Sequence, residues 1–212
     1  MIERRRRVLC WLVGSASLAV LSTGCGSQWR PPLYQKQDFH LQWVDHITVV
    51  PAVDVRIDRS VQVDLNAQLR DSTVNILTGK GYPTAASQDG SEVGTVTLDD
   101  LKNPEPAWIE HLGPQTARWV LVVTLVDVNS GLTFGSTGDA EVAGFLYDKK
   151  DGTLAWRDRG IAQVGQGGLL GMALVGAMDD AAISEALDHL FASFPERNKG
   201  NPYIPEPAPA AT

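Results

Sequence analysis

Hydrophobic spacing changes period several times between Trp43 and Phe194, and each change predicts an element. The β-branched run HITVVPAVDVR (46–56) predicts a strand. Pro51 must lie at its end or on an edge, because proline has no N–H to give to a ladder. From Asp64 onward, Leu65, Leu69, Ile76 and Leu77 share one face of a helix that Gly79 and Gly81 close. Tyr82–Ala86 predicts a short second strand, and SQDGSEVGT (87–95) a loop. A helical turn fits 98–102, broken by Pro104 and Pro106, and AWIEHLG (107–113) reads as a short helix ending at Gly113. ARWVLVVTLVDV (117–128) is almost unbroken in apolar character, which predicts a strand covered on both faces. Residues 139–164 read as two β arms around the turn signal Asp151-Gly152. Ala140, Val142 and Leu146 share one face of the first arm; Leu154, Trp156, Ala162 and Val164 share one face of the second. In DDAAISEALDHLFASF (179–194), Ile183, Leu187, Leu190, Phe191 and Phe194 recur at helical spacing, with Asp179 or Asp180 as cap and Pro195 as stop. This order predicts a mixed β-sheet with packed helices, a single α/β domain over 45–196, without internal repeats. A stiff, proline-rich, disordered tail (197–212) follows it.

The first 25 residues follow another pattern. Arg4, Arg5, Arg6 and Arg7 form a positive block, Val8–Leu21 is uncharged and apolar or small, and Ser22, Thr23 and Gly24 precede Cys25. That order predicts a secretory signal peptide over 1–24. Its core of 14 residues is shorter than the ~20 that a membrane span needs. A cysteine at this place resembles the lipobox of bacterial lipoproteins; Thr23 and Gly24 fit it, while Ser22 stands where leucine is usual. The resemblance implies cleavage before Cys25, acylation of its thiol and of the new amino terminus, and a lipid link to the membrane. Gly26 in place of aspartate implies the periplasmic face of the outer membrane. Ordinary cleavage nearby would give a soluble periplasmic protein instead. Residues 25–44, with Arg30-Pro31-Pro32 and YQKQDFH, show no period and predict an acylated cysteine on a flexible tether.

Charge and cysteine content narrow the partners. The chain carries a net charge of −7, and loss of residues 1–24 removes four arginines and one glutamate, which leaves −10. So acidic a body excludes nucleic acid as a partner. It is also repelled by anionic headgroups, so the membrane link falls to the lipid. Cys10 leaves with the signal and Cys25 is acylated, so no thiol remains for a disulfide, a thiolate nucleophile or a sulfur-ligated metal.

Few residues invite a chemical reading. His40, His46, His111 and His189 have no second histidine or cysteine at ligand spacing, so neither a metal nor another cofactor is expected. No Gly-x-Ser-x-Gly elbow occurs. Asp139 and Glu141 share one side of a strand, as a carboxylate pair or a solvated sheet face. Asp54, Asp58 and Arg59 could bind a ligand or form a loop ion pair. Trp108, Trp119 and Trp156 could stack on a glycan or fill a core. GQGGLLGMALVGAM (165–178) has a phosphate loop's glycines but no lysine after them, which rules out nucleotide binding. It remains open as a buried linker, as a subunit contact through Gly167, Gly168, Leu169, Leu170, Gly171 and Met172, or as an exposed apolar loop.

VVPAVDVRIDRS followed by a helix ending in GKGY, then ARWVLVVTLVDV, then FLYDKKDGTLAW together resemble a family of poorly characterised bacterial lipoproteins. That family has a TolB-N-terminal-like fold, similar to the periplasmic domains of CsgG and PelC. The likeness spans about residues 45–195. It implies a two-layer α/β sandwich in an envelope assembly, often oligomeric, with no catalytic site to carry over. The expectation is a non-enzymatic, lipid-anchored scaffold or assembly lipoprotein of a cell-envelope or secretion/export complex. It would contact the membrane through Cys25, other envelope proteins and copies of itself. An exported enzyme using Asp54, Asp58 or Asp139, and a ligand- or glycan-binding lipoprotein, are the alternatives.

Overall fold

The computed structural model describes residues 30–37, 39–40, 44–87, 96–133, 135–167, 175–194 and 196–197. The expected signal peptide, Cys25 and all of the expected tail but Arg197 lie outside the described residues. In chain order the strands are β1 (Tyr34–Gln35), β2 (Ile47–Val49), β3 (Val53–Asp54), β4 (Thr84–Ala86), β5 (Trp119–Thr133), β6 (Gly135–Asp148) and β7 (Thr153–Gly167). The helices are α1 (Ser72–Gly79, preceded by a π-helical turn over Asn66–Asp71), α2 (Leu98–Lys102), α3 (Pro106–His111) and α4 (Val175–Leu190), with a 3-10 turn at Phe191–Ser193.

All seven strands form one mixed sheet in the order β1-β7-β6-β5-β2-β4, with β3 also paired to β5. The long apolar strand β5 is its axis. It runs parallel to β2 and β3 on one side and antiparallel to β6 on the other. Period-2 alternation splits its side chains between two cores. Trp119, Leu121, Val123 and Leu125 join the core under α1 and α4, while Val120 and Val122 join a smaller one under α2 and α3. The expectation that this strand is covered on both faces therefore holds. The whole is a two-layer α/β sandwich, with α2 and α3 covering part of the opposite face.

Several expected details hold for the expected reasons. Ile183, Leu187, Leu190, Phe191 and Phe194 are all buried against the sheet. Gly81 follows the end of α1 and its N–H donates to the Thr78 carbonyl at 2.9 Å. Pro51 lies where the strand breaks between β2 and β3. The pairing moves from Val49↔Leu121 to Val53↔Thr124, so one extra residue is absorbed there and no ladder bond is asked of the proline. The β6–β7 turn contains Gly152 at φ 59°, a conformation that suits glycine.

Other details differ. β5 runs to Thr133 and pairs antiparallel with β6 up to Thr133↔Gly135, so the expected hairpin is part of a three-stranded antiparallel ribbon. Leu154 packs in the smaller core, whereas Trp156, Ala162 and Val164 face α4. The cause is a bulge: Leu146 pairs with Trp156 but Tyr147 pairs with Leu154, which inserts Ala155 and flips the face. Pro106 opens α3 at its first position instead of breaking a helix. Helix α4 starts at Val175, so Asp179 is no cap; it is buried inside the helix and accepts a hydrogen bond from the Ser130 hydroxyl at 2.7 Å. The segment expected to be a tether is docked from Arg30. β1 pairs antiparallel with β7, and Phe39 and Val44 are buried.

Candidate functional site

The residues nearest Cys25 in the described chain form a built junction. Arg30 Nη1 donates to Asp158 Oδ1 at 2.9 Å, and Arg30 Nη2 donates to the carbonyls of Arg159 at 2.6 Å and His189 at 3.3 Å. Asp158 lies on the α4 side of β7 with a side chain 0% exposed. The Arg159 N–H also donates to its Oδ1, at 2.8 Å. Such a carboxylate is costly to bury without a cation, and Arg30 is the cation it has. The guanidinium also lies beside a carbonyl in the last turn of α4, where positive charge is favoured. His189 closes the same edge, its Nδ1–H donating to the Ile161 carbonyl at 2.7 Å. Sequence reading passes over Arg30 and Asp158. The available signal was an aspartate in an inward slot of the alternation Trp156, Asp158, Gly160, Ala162.

The expected contact segment is only partly described. Gly167 is the last residue of β7, while Gly168, Leu169, Leu170, Gly171 and Met172 lie outside the described residues. On its flanks, Gly165, Gly176 and Ala177 are exposed.

The candidates for chemistry separate in space or pair off. Asp54 is gripped by Arg56, whose Nε and Nη2 donate to its two oxygens at 2.9 and 2.8 Å. Arg59 Nη2 donates to the Asp54 carbonyl at 2.8 Å, and Arg56 Nη1 to the Val61 carbonyl at 3.0 Å. This is the loop ion pair, not a cleft. The Arg56 hydrogen bonds hold the Asp54 carboxyl below its ordinary value of 3.8, against the opposing effect of burial. A group depressed in the folded state stabilises above its ordinary value, and that stability is lost as pH falls through the folded value. Asp54→Asn should therefore cost about 2 kcal/mol at neutral pH. The gap to the parent should narrow below pH ~4, read from urea midpoints across the acid range.

Asp139 and Glu141 lie on the face of the ribbon opposite α4, opposite Gln163 and Ile161 of β7, and Glu141 meets Arg159 at 3.5 Å. That matches a solvated sheet face. His111 Nδ1–H donates to the Ala107 carbonyl at 2.6 Å. Among the described residues no three His, Cys, Asp or Glu side chains are placed to hold a metal ion. Trp119 and Trp156 are buried in the core, and Trp108 packs edge-on against Tyr147 at 5.6 Å, so the three do not form a stacking platform. A shallow depression of about 520 Å³ lies at the other end of the ribbon, lined by Glu110, Arg118, Lys149 and Lys150 among others. Its cations are largely engaged. Arg118 pairs with Asp148 at 2.8 Å, and Lys149 donates to the Leu112 and Pro114 carbonyls at 2.8 and 3.1 Å.

The fold is an α/β sandwich whose mixed sheet carries the short strand β1 at one edge. No family model matches the sequence, and no curated protein matches it. Solved structures do resemble it. A lipoprotein from Neisseria meningitidis is 20% identical over 65% of this chain and 97% of that one, with a TM-score of 0.42. The PelC dodecamer from Paraburkholderia phytofirmans is 13% identical over 70% and 87%, at 0.44. A hypothetical protein from Chlamydia trachomatis is 10% identical over 70% and 94%, at 0.46.

Proposed function

We propose that this protein is a lipid-anchored lipoprotein of the cell envelope. Its α/β body acts without catalysis, as a scaffold or assembly subunit at the periplasmic face of the outer membrane. The observation that carries the reading is Cys25 placed directly behind a basic block, a 14-residue apolar core and Ser22-Thr23-Gly24. One acyl chain binds a bilayer only marginally, but several on one residue hold it firmly. The non-catalytic part is supported by the carboxylates: Asp54, Asp148, Asp151 and Glu141 each sit in an ion pair instead of converging on a cleft. Assembly with envelope proteins and self-association through Gly167–Met172 belong to the same reading. They rest on the likeness to TolB-type lipoproteins and on the small residues of that stretch.

Radiolabelled palmitate tests it in cells. The parent should take up label and fractionate with outer membrane. Cys25→Ala should lose essentially all label and leave the membrane fraction. An unlabelled parent, or a variant that matures and fractionates like the parent, would refute the reading.

A further inference from the structure

We propose that the β1–β7 edge of the sheet is a membrane-apposed face, seated edge-on against the headgroups of the bilayer that receives the Cys25 acyl chains. The proposal rests on that acylation and goes further, because it fixes which side of the body meets the lipid.

Three independent observations converge on this edge. The first is reach. Arg30 is fastened to Asp158, Arg159 and His189, and only five Cα-to-Cα steps separate it from Cys25. Fully extended, they span about 18 Å. From β1 to the opposite edge strand β4 the sheet has five strand spacings, roughly 24 Å. The leash is thus shorter than the sheet is wide, and the near edge is the one held at the surface.

The second is apolar exposure. Among the described residues four large hydrophobic side chains are exposed, and three of them lie on these two strands or next to them. They are Leu33 at 54%, Tyr34 at 39% and Ile161 at 52%. Tyr34 faces the side of the sheet that Arg157 occupies, beside the amphipathic zone where tyrosine is favoured at lipid headgroups.

The third is charge. Arg30, Lys36, Arg157 and Arg159 cluster here in an otherwise acidic chain. Arg30, Lys36 and Arg159 pair with Asp158, Asp151 and Glu141, and Arg157 makes no ion pair among the described residues. The Asp158 carboxylate is buried while Arg30 is 39% exposed, so this pair shows its guanidinium outward, where lipid phosphates attract it; Asp151 and Glu141, at 47% and 28%, stay exposed beside Lys36 and Arg159.

The test uses the mature acylated protein in vesicles of phosphatidylethanolamine and phosphatidylglycerol. With Cys10 removed and Cys25 acylated, one introduced cysteine is the only free thiol. An environment-sensitive fluorophore is placed at Gln35→Cys or Gln163→Cys on the near edge, or at Ala86→Cys on the far one. All three positions are exposed. Quenching by lipids spin-labelled in the headgroup should be several-fold stronger at 35 and 163 than at 86. Equal quenching at the three sites in protein that floats with the vesicles overturns the proposal and leaves the anchor standing. Self-quenching at 35 and 163 without lipid quenching overturns it too, in favour of a second copy at this edge. Protein that carries no acyl group and does not float overturns the anchor, and this proposal with it.

Discussion

Gly160→Ala is expected to destabilise the body by about 3 kcal/mol, or to prevent folding, in urea or thermal unfolding of the mature domain. A β-carbon at Gly160 would sit 1.8 Å from the Ala186 carbonyl oxygen, 2.6 Å from the Leu190 nitrogen and 2.9 Å from the Ala186 carbonyl carbon. All three are backbone atoms of α4, so no side chain can swing aside. The helix itself must lift, and Ile183, Leu187 and Leu190 would leave the core with it. Gly165→Ala on the same strand is the control. Its β-carbon meets nothing closer than the Thr137 methyl at 3.4 Å, an ordinary contact. Its cost should stay within about 0.5 kcal/mol. Similar losses for the two variants would mean that α4 does not pack on β7 at Gly160.

Trp156→Ala should cost about 3–5 kcal/mol, the range for deleting a fully buried large aromatic. Trp156 is 0% exposed. Its ring meets Phe194 edge-on at 4.5 Å and stacks on Phe191 at 6.2 Å. Phe194 in turn meets Tyr82 at 5.5 Å, so this aromatic cluster fastens the end of α4 to the segment that follows α1. The indole N–H has no hydrogen-bond partner among the described residues. Trp156→Phe therefore gives up packing but no hydrogen bond, and should lose only about 1–2 kcal/mol. Equal losses for alanine and phenylalanine would show that the ring volume is not what the site needs.

Much of this architecture is legible from spacing. Helical recurrence is enough to bury Ile183, Leu187 and Leu190, and the near-continuous apolar run is enough to make β5 the doubly covered axis. Spacing fails where register slips. Ala155 is an ordinary small residue in the sequence, yet as a bulge it sends Leu154 to the other core. Residues 129–133 and 135–138 are dominated by glycine and small polar residues, and no element is predicted there. They form strand because their partners lie directly opposite and because Gly138 lets Met178 and Asp179 of α4 approach closely. At the candidate site, Arg30 looks like tether because its reason for being ordered is an aspartate 128 residues away. Local pattern cannot carry that information; an inward slot filled by Asp158, whose neighbours Arg157 and Arg159 fall on the other face of the strand, is the hint of it. Cys25 is the reverse case. Its role is read wholly from its neighbours in the sequence, and it lies outside the described residues.

Pairing between β1 and β7 also sets an order of events. Any chain delivered amino terminus first presents Tyr34 and Arg30 long before Arg157 and Asp158 exist to receive them. Closing so long a loop is slow, since its entropy must be surrendered before any contact is gained. The earliest piece of this sheet to emerge thus waits for the sheet's last strand before it can be fitted. Until the final third of the polypeptide arrives, Tyr34 and Arg30 have no sheet edge to join.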